Sequence, residues 1–566
     1  MINTGCTTAE LGDFEKSVQE TLSALQKQNI AERLWAQDAS LWKSDVATQE
    51  KIKNRLGWLK LVRGMPKIID DLTAFSESIK VSGFKDVFLL GMGGSSLCPE
   101  VLKQTYSSAP GYPRLTVLDT TDPETIQNAE ASCELKKTLF ILASKSGSTI
   151  EMLSLYRYFS DKLQAIVGSH IGKHFVAITD AGSPLEQIAV EKKFRRFFTT
   201  PSDVGGRYSA LTYFGLVPAA LLGMDLSALL KSAEAMVQVC DASQPITQNP
   251  AILLGVILGK LSEAGRNKLT FISSKSFSHF GIWAEQLIAE STGKEGKGVI
   301  PIDNEILGNA SVYGDDRLFV YLRLQTDDCK QLDHTFSALQ KAGHPTVQID
   351  LKNPYDLAGE FFRWEMATAL AALVLHINPF DEPNVSESKE NTMAVLTQFE
   401  KTDQLTLPPA QNYEGGISIS GDIGSKPAAS LSQTLEFFFK HINEGSYVAL
   451  MAYFAPSKKY AACLQILRTK IRDKYRVATT LGYGPRFLHS TGQLHKGGKR
   501  NALFIQFTID EKADFPIPEA PYSFGILKRA QALGDFHSLV RHKRQVLDIR
   551  LGKDFESGLE KIMQSL

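Results

Sequence analysis

Four hydroxyl side chains and one lysine stand close together in residues 144–149, which read SKSGST. The apolar run 139–143 before them predicts a buried strand, and residues 150–163 have the spacing of a helix. Backbone N–H groups and the positive end of the helix dipole attract anions at such a turn. A capping box of Ser148 and Glu151 is the alternative interpretation. Because a capping box requires neither so many hydroxyls nor Lys145, the segment predicts a monophosphate site.

A second turn between a predicted strand and a predicted helix is rich in glycine, and reads GMGGSS over residues 91–96. With Asp119 at the end of the next predicted strand, this turn resembles the start of a dinucleotide site, but Ser96 replaces the third fingerprint glycine. A tight turn that merely requires glycine is equally compatible with the pattern. Its pairing with the hydroxyl-rich segment favours a phosphosugar ligand over NAD.

Two charged residues have the chemistry for moving a proton at a carbon atom. Arg207 follows Gly205 and Gly206, and a guanidinium can stabilise the oxygen of a developing enolate. Glu290 ends a predicted helix just before Gly293, where its carboxylate can act alternately as base and acid. The alternatives are a surface ion pair for Arg207 and a solvated carboxylate for Glu290.

The elements that must position these residues predict an α/β fold with two doubly wound parallel sheets. We expect a helical N-terminal segment and a first sheet domain over 1–235, a second sheet domain over 236–400 and a linker over 401–440. Residues 441–566 predict a smaller α+β domain. Its strands over 447–454, 477–483, 502–509 and 546–551 and its helices over 458–475 and 524–541 follow the β-α-β-β-α-β order of a ferredoxin-like sandwich.

The composition excludes several classes of partner. The 62 basic and 62 acidic side chains give a formal net charge of +0, which makes nucleic acid and anionic membranes poor partners. Six scattered cysteines without a CxxC pair, and residues 1–15 without a basic leader or an apolar core, are typical of a cytoplasmic protein. The longest apolar run, 213–224, is too short to cross a bilayer. The sequence contains no HxH or HExxH cluster, so we expect no metal, and we also expect no cofactor.

Taken in order, five motifs resemble the glucose-6-phosphate isomerase family, whose two halves are sugar-isomerase (SIS) domains. The motifs are GMGGSS, SKSGSTIE, VGGRYS, QLIAESTGK and NPFDEPNVSESK, within about residues 55–400. The resemblance implies interconversion of glucose 6-phosphate and fructose 6-phosphate through a cis-enediol. It also implies phosphate binding by Ser144, Lys145, Ser146 and Thr149, sugar binding by Gly94, Ser95 and Gln286, enediolate stabilisation by Arg207, proton transfer by Glu290 and ring opening by Lys389.

Two positions depart from the family pattern. Members usually carry a histidine, contributed across a dimer interface, that assists ring opening, and that position falls at Asp356. Where the family has glutamine in its FDQP motif, this chain has Glu382. His279, His489 and His495 are the candidate substitutes for the histidine. We expect the C-terminal domain to supply His489 as the ring-opening acid and base, because histidine titrates near neutral pH.

Residues 485–498, PRFLHSTGQLHKGG, resemble the isomerase half of bifunctional transaldolase/glucose-6-phosphate isomerases. The expected partners are therefore a small phosphosugar and either a second copy of this chain in a homodimer or a transaldolase half. Two other classes of function remain open. One is a non-catalytic SIS protein that senses a phosphosugar. The other is an amidotransferase-type aminosugar synthase, which would require an N-terminal cysteine, whereas residue 2 is Ile2.

Overall fold

The computed structural model describes residues 2–424, 429–552 and 555–566. Its N-terminal region is mainly helical. The helical spacing of this region predicts Trp35, Trp42 and Trp58 as core anchors. Trp42 and Trp58 are buried in the main hydrophobic core, and Trp35 is half-buried against it. Its elements are β1 (Ile2–Thr4), β2 (Thr7–Glu10), α1 (Glu15–Lys27), α2 (Ile30–Trp35), α3 (Val46–Lys53), α4 (Trp58–Gly64) and α5 (Ile69–Val81).

The first sheet is parallel throughout and has the order β4-β3-β5-β6-β7. Its strand order reverses at β3 and β5, and the crevice at such a point is the usual ligand site of a doubly wound sheet. Its elements are β3 (Asp86–Gly91), α6 (Leu97–Thr105), β4 (Arg114–Leu118), α7 (Pro123–Ala131), β5 (Thr138–Ala143), α8 (Ile150–Val167), β6 (Phe175–Asp180), α9 (Pro184–Glu191) and β7 (Arg196–Thr200).

The second sheet follows three helices and has the order β1-β2-β11-β10-β8-β9. Its four later strands are parallel, whereas the N-terminal hairpin of β1 and β2 pairs antiparallel with β11. The elements are α10 (Tyr213–Leu221), α11 (Leu226–Val239), α12 (Pro250–Glu263), β8 (Lys268–Ser273), α13 (Phe280–Thr292), β9 (Ile300–Ile302), β10 (Arg317–Leu324), α14 (Lys330–Lys341), β11 (Thr346–Leu351), α15 (Asp356–Val374) and α16 (Pro383–Thr402).

The third sheet has the order β12-β13-β17-β16-β14-β15. Strands β14 to β17 are parallel, and the hairpin of β12 and β13 joins antiparallel at the edge. The elements are β12 (Gln411–Tyr413), β13 (Ile417–Gly421), α17 (Leu431–Phe439), β14 (Tyr447–Tyr453), α18 (Lys458–Tyr475), β15 (Ala478–Tyr483), α19 (Gly492–Gly497), β16 (Ala502–Thr508), α20 (Phe524–Arg541), β17 (Gln545–Arg550) and α21 (Phe555–Ser565).

The prediction of an α/β fold with parallel sheets is confirmed, but the ferredoxin-like topology of the C-terminal domain is wrong. That topology is an antiparallel sheet, whereas here β15 and β16 both lie parallel to β14, on its two sides. Residues 484–501 between them form a crossover that contains α19, as parallel strands require. The order expected from the sequence places no helix between these two strands.

Two predicted boundaries also need correction. The strands β1 and β2 lie within the range 1–235 expected to form the first domain, yet they extend the second sheet. The range 401–440 predicted as a linker contains β12, β13 and α17, whose side chains join the core of the third sheet. Residues 425–428 of that range lie outside the described residues.

Candidate active site

Eleven residues predicted for the site line one cavity of about 400 Å³. The cavity opens at the reversal of strand order in the first sheet, beside the turns that follow β3 and β5. The second sheet domain and the crossover of the third sheet close its other sides. The predicted residues that line it are Gly94, Ser95, Ser144, Lys145, Ser146, Thr149, Arg207, Gln286, Glu290, Lys389 and His489.

The turn after β5 forms a loop of hydroxyls at one end of the cavity. The hydroxyls of Ser144 and Thr149 lie 2.8 Å apart, and the backbone N–H of Gly147 donates to Ser144 Oγ at 3.1 Å. Thr149 immediately precedes α8, so the first N–H groups of that helix face the same end. Lys145 is ion-paired with Asp180. Hydroxyls and a helix N-terminus together suit a phosphate group.

The glycine-rich turn after β3 allows three parts of the chain to meet. A Cβ atom on Gly94 would collide with the backbone carbonyl of Gly206, beside Arg207. A Cβ on Gly93, whose φ is +54°, would lie 2.8 Å from Gln286 Nε2 and 2.9 Å from the carbonyl oxygen of His489. Gly94 is therefore required by the close approach of the segment that carries Arg207, and Gly93 by that of the second and third domains.

The opposite end of the cavity holds a buried ion pair. Arg207, only 4% exposed, donates from Nη1 to Glu290 Oε1 at 3.0 Å, and Gln286 Nε2 donates to Glu290 Oε2 at 3.0 Å. Burial raises the pKa of the Glu290 carboxyl, and Glu382 raises it further, while Arg207, Gln286 and Lys294 act to lower it. A carboxyl whose pKa lies above its ordinary value is suited to general base and acid work near neutral pH.

The guanidinium of Arg207 is held by more than its carboxylates. Its Nε donates to Ser291 Oγ at 2.8 Å, and its Nη2 donates to the backbone oxygens of Pro379 and Asp381 at 2.6 and 3.0 Å. Burial acts to lower the pKa of Arg207, but Glu290 and Glu382 raise it overall, so the group stays charged. A fixed positive charge beside a base is an arrangement that stabilises an enediolate oxygen.

His489 enters the cavity from the crossover of the third sheet. Its Nε2 lies 3.0 Å from Glu151 Oε1, which also accepts from Gln531 Nε2 at 2.7 Å. Burial alone would raise the pKa of Glu151, but His489 and the nearby Lys389 bring it below its ordinary value. The side chain of Glu151 therefore orients His489 and does not form the capping box with Ser148.

An ion pair anchors the segment that carries His489. Arg486 makes a two-point contact with Asp119 of the first sheet domain, Nη2 to Oδ1 at 2.8 Å and Nε to Oδ2 at 2.7 Å. Asp119, whose position in the sequence also suited a dinucleotide site, therefore forms an ion pair with the third domain. Such forked pairs fix geometry more strictly than single contacts do.

The other histidine candidates do not reach the cavity. His279 lies 3.1 Å from Ser278 Oγ at the start of α13, and His495 is buried against Phe504. Asp356, which occupies the position of the family histidine, accepts hydrogen bonds from the backbone of Lys352 and Asn353 at the start of α15. Of the histidines in the described residues, only His489 lines the cavity.

Sequence reasoning missed several residues of the site. Arg55 lines the cavity beside Gly205, and Lys294 pairs with Asp381 at 2.8 Å next to the ion pair of Glu290. Burial and Arg207 lower the pKa of Lys294 to about 8. Arg55 lies in a helical region without a motif, so nothing in the sequence could single it out. Lys294 stands within QLIAESTGK, and only its place in that motif was a signal.

A larger cleft lies elsewhere. It has a volume of about 1280 Å³ and is lined by parts of the second and third domains, among them Lys268 and Asn501. None of the predicted site residues borders it. Within the described residues, no group of three or more His, Cys, Asp or Glu side chains is placed to hold a metal ion, and no helix is long and apolar enough to cross a membrane.

The fold and the cavity define an α/β protein with an anion-binding loop and a buried carboxylate–guanidinium pair. The family model for phosphoglucose isomerase matches residues 64–308, which include every predicted site residue except Lys389 and His489. A glucose-6-phosphate isomerase of Leptospira biflexa is 30% identical over 305 residues, which are 47% of this chain and 68% of that protein. This chain therefore belongs to the phosphoglucose isomerase family.

Other relatives extend the similarity along the chain. A glucose-6-phosphate isomerase of Prochlorococcus marinus is 27% identical over 493 residues, covering 77% of this chain and 88% of that protein. Two crystal structures share the fold. A hypothetical protein from Thermus thermophilus has a TM-score of 0.58 at 25% identity, covering 68% of this chain and 99% of its own. A glucose-6-phosphate isomerase from Chlamydia trachomatis has a TM-score of 0.56 at 16% identity, covering 71% of this chain and 90% of that protein.

Proposed function

We propose that this protein is a glucose-6-phosphate isomerase that interconverts glucose 6-phosphate and fructose 6-phosphate through a cis-enediol. The observation that carries the proposal is one cavity with an anion loop at one end and the pair of Glu290 and Arg207 at the other. Membership of the phosphoglucose isomerase family supports the choice of substrate. A phosphosugar bound by its phosphate would present its first two carbons to the carboxylate.

Binding begins at the phosphate. Ser144, Ser146 and Thr149 donate to its oxygens together with the first N–H groups of α8, and Lys145 adds positive charge beside them. Gly94 and Ser95 line the sugar. The Oε1 atom of Gln286 is buried and has no hydrogen-bond partner among the described residues, so it is available to accept from a sugar hydroxyl.

Ring opening falls to His489. Because Nε2 of its ring faces Glu151, Nδ1 is the nitrogen that can exchange a proton with the cyclic sugar. Lys389, exposed at the rim of the cavity, polarises the ring oxygen. His489 belongs to the same chain as Glu290. Ring opening therefore does not require a histidine from a partner subunit, whose position in the family pattern is occupied by Asp356 here.

Isomerisation then moves one hydrogen between two carbons. Glu290 takes the proton from C2, the electron pair of the C–H bond forms the double bond between C1 and C2, and Arg207 stabilises the resulting negative oxygen. The hydroxyl proton on the C2 oxygen passes to the negative C1 oxygen. The C2 oxygen then forms the new carbonyl while the electrons of the C1–C2 double bond take the proton back from Glu290 at C1, which completes the ketose. The carboxylate ends the cycle in its starting state, so the mechanism requires no cofactor.

Several finer assignments belong to the same proposal. Both sheets of residues 1–400 are SIS domains, and the enzyme acts in the cytoplasm on a free phosphosugar. A homodimer or a transaldolase partner remains a prediction. A non-catalytic phosphosugar sensor would share the hydroxyl loop, but it has no use for a buried base, a buried guanidinium and an oriented histidine in one cavity.

A coupled spectrophotometric assay tests the proposal. Fructose 6-phosphate is supplied with glucose-6-phosphate dehydrogenase and NADP, in buffer that contains a chelator, and formation of NADPH is followed. We expect steady turnover that the chelator does not reduce. Binding of fructose 6-phosphate without turnover would identify a sensor, and turnover that depends on added metal would identify another class of isomerase.

A further inference from the structure

Two carboxylates share one nitrogen of Arg207. Glu290 Oε1 lies 3.0 Å from Nη1, and Glu382 Oε2 lies 2.9 Å from the same atom. The side chain of Glu290 is 10% exposed, whereas that of Glu382 is 41% exposed at the edge of the same cavity. The mechanism above uses only the first of these carboxylates.

Glu382 is not needed to hold the guanidinium in place. The Nε and Nη2 atoms of Arg207 are fixed by Ser291 and by the backbone oxygens of Pro379 and Asp381. What Glu382 changes is the electrostatic surroundings of Glu290. With Glu290 as its only carboxylate, Arg207 would form a closed buried pair that favours the ionised carboxylate and weakens it as a base.

We propose that Glu382 is a positioning residue for the base, which divides the charge of Arg207 between two carboxylates and so keeps Glu290 free to take up a proton. This inference rests on the proposed function, because it assigns a second residue to the same proton transfer. The sharing of Nη1 places the negative charge of Glu382 within a few ångströms of the base, where a like charge acts against ionisation.

The other groups around Glu290 act in both directions. Burial and Glu382 raise the pKa of Glu290, whereas Arg207, the hydrogen bond from Gln286 and Lys294, just after α13, act to lower it. Tyr208 lies next to Arg207 and its pKa is raised by burial, so it stays neutral. The remaining charged or titratable groups that line the cavity are Arg55, Lys145, Asp180, Lys389 and His489.

The sign of the effect follows from these directions. A base is active when deprotonated, so turnover falls as the pH drops through the pKa of Glu290. The substitution Glu382→Gln removes a group that raises this pKa and keeps an oxygen that can accept from Arg207. The acid limb of kcat should therefore move to lower pH, by about one pH unit, and kcat on the plateau should fall about two- to tenfold because the base is weaker.

The matched control is Glu400→Gln, which removes the same charge from an exposed position of α16, the helix that begins directly after Glu382. The acid limb of the kcat–pH profile of this variant should coincide with that of the native enzyme. A Glu382→Gln acid limb that does not move relative to this control would overturn the inference. A fall in kcat without any shift would also overturn it, since it would mean that Glu382 only holds the local structure.

A second measurement does not depend on turnover. Infrared difference spectra recorded across a pH titration detect the C=O stretch of a protonated buried carboxyl, and the band of Glu290 is the one that Glu290→Gln lacks. This band should titrate at lower pH in Glu382→Gln than in the native protein, and equal titration in both would contradict the inference. If the native protein showed no isomerase activity, the proposed function would fail while this titration would still decide the role of Glu382.

Discussion

The two ends of the cavity are built in different ways. The anion loop comes from six consecutive residues, 144–149, and depends on small side chains and backbone N–H groups at the start of α8. The base end brings together Arg207, Glu290 and Glu382 from three distant parts of the chain, and its pair of Arg207 and Glu290 is charged and buried. The first arrangement suits a ligand that arrives carrying its own charge. The second suits a charge that appears only during the reaction.

This contrast indicates a division of labour between affinity and chemistry. Interactions made equally with substrate and transition state change KM, and interactions realised only in the transition state change kcat. Substitutions in the loop should therefore act mainly on KM, and substitutions at the base end mainly on kcat. His489, which lines the cavity from the third domain, should affect only the opening of the cyclic sugar.

The largest effect is expected for Glu290→Gln. The amide keeps the size of the side chain but cannot take a proton, so kcat should fall about 10²–10⁴-fold while binding of fructose 6-phosphate, measured by calorimetry, persists. The control is Glu285→Gln in the same helix. Burial and Asp303 raise the pKa of Glu285 to about 8, so it is mostly neutral at pH 7, and it does not line the cavity. Equal losses in both variants would remove Glu290 from the mechanism.

The double substitution Ser146→Ala and Thr149→Ala tests the anion loop, at the other end of the cavity. Each hydrogen bond to a charged group contributes about 1.5–3 kcal/mol, so KM for fructose 6-phosphate should rise about a hundredfold or more, with a smaller change in kcat. Ser148→Ala is the control, because this hydroxyl belongs to the same loop but does not line the site cavity of about 400 Å³. An unchanged KM in the double variant would contradict the phosphate assignment.

A smaller effect is expected for His489→Ala, because water also opens sugar rings slowly. Turnover of cyclic glucose 6-phosphate should fall about tenfold or more. Proton exchange on an acyclic phosphosugar, followed by NMR, should continue almost unchanged. His537→Ala, an exposed histidine of the same domain, serves as the control. Equal losses on both substrates, or no loss on either, would make His489 a structural residue of the crossover.

The same contrast explains how much the sequence could predict. The loop could be predicted because a strand, a run of hydroxyls and a helix follow one another directly, and its position at the end of β5 is confirmed. Glu290 and Arg207 could be named only through their motifs, since no local pattern shows that residues 83 positions apart form an ion pair. The partnership of Glu151 with His489 joins residues 338 positions apart, and its local spacing indicated a helix cap.

The topology of the third sheet shows a related limit. Its helices α18 and α20 and its four parallel strands were predicted close to their observed bounds, because their apolar periodicity is strong. Their pairing was wrong, since the direction of a strand depends on the connection that precedes it. The decisive connection, residues 484–501, is the one that carries Arg486 and His489, and its sequence is shaped by contacts with the first domain.

Solvent hydrogen exchange tests the central claim, that one carboxylate moves a proton between C1 and C2, most directly. The native enzyme and Glu290→Gln are incubated with fructose 6-phosphate in deuterated water, and deuterium at C2 of the glucose 6-phosphate product is measured by NMR. We expect at least partial deuteration at C2 with the native enzyme and essentially none with the variant, while both bind the sugar. Product without any deuterium, or equal exchange in Glu290→Gln, would contradict it.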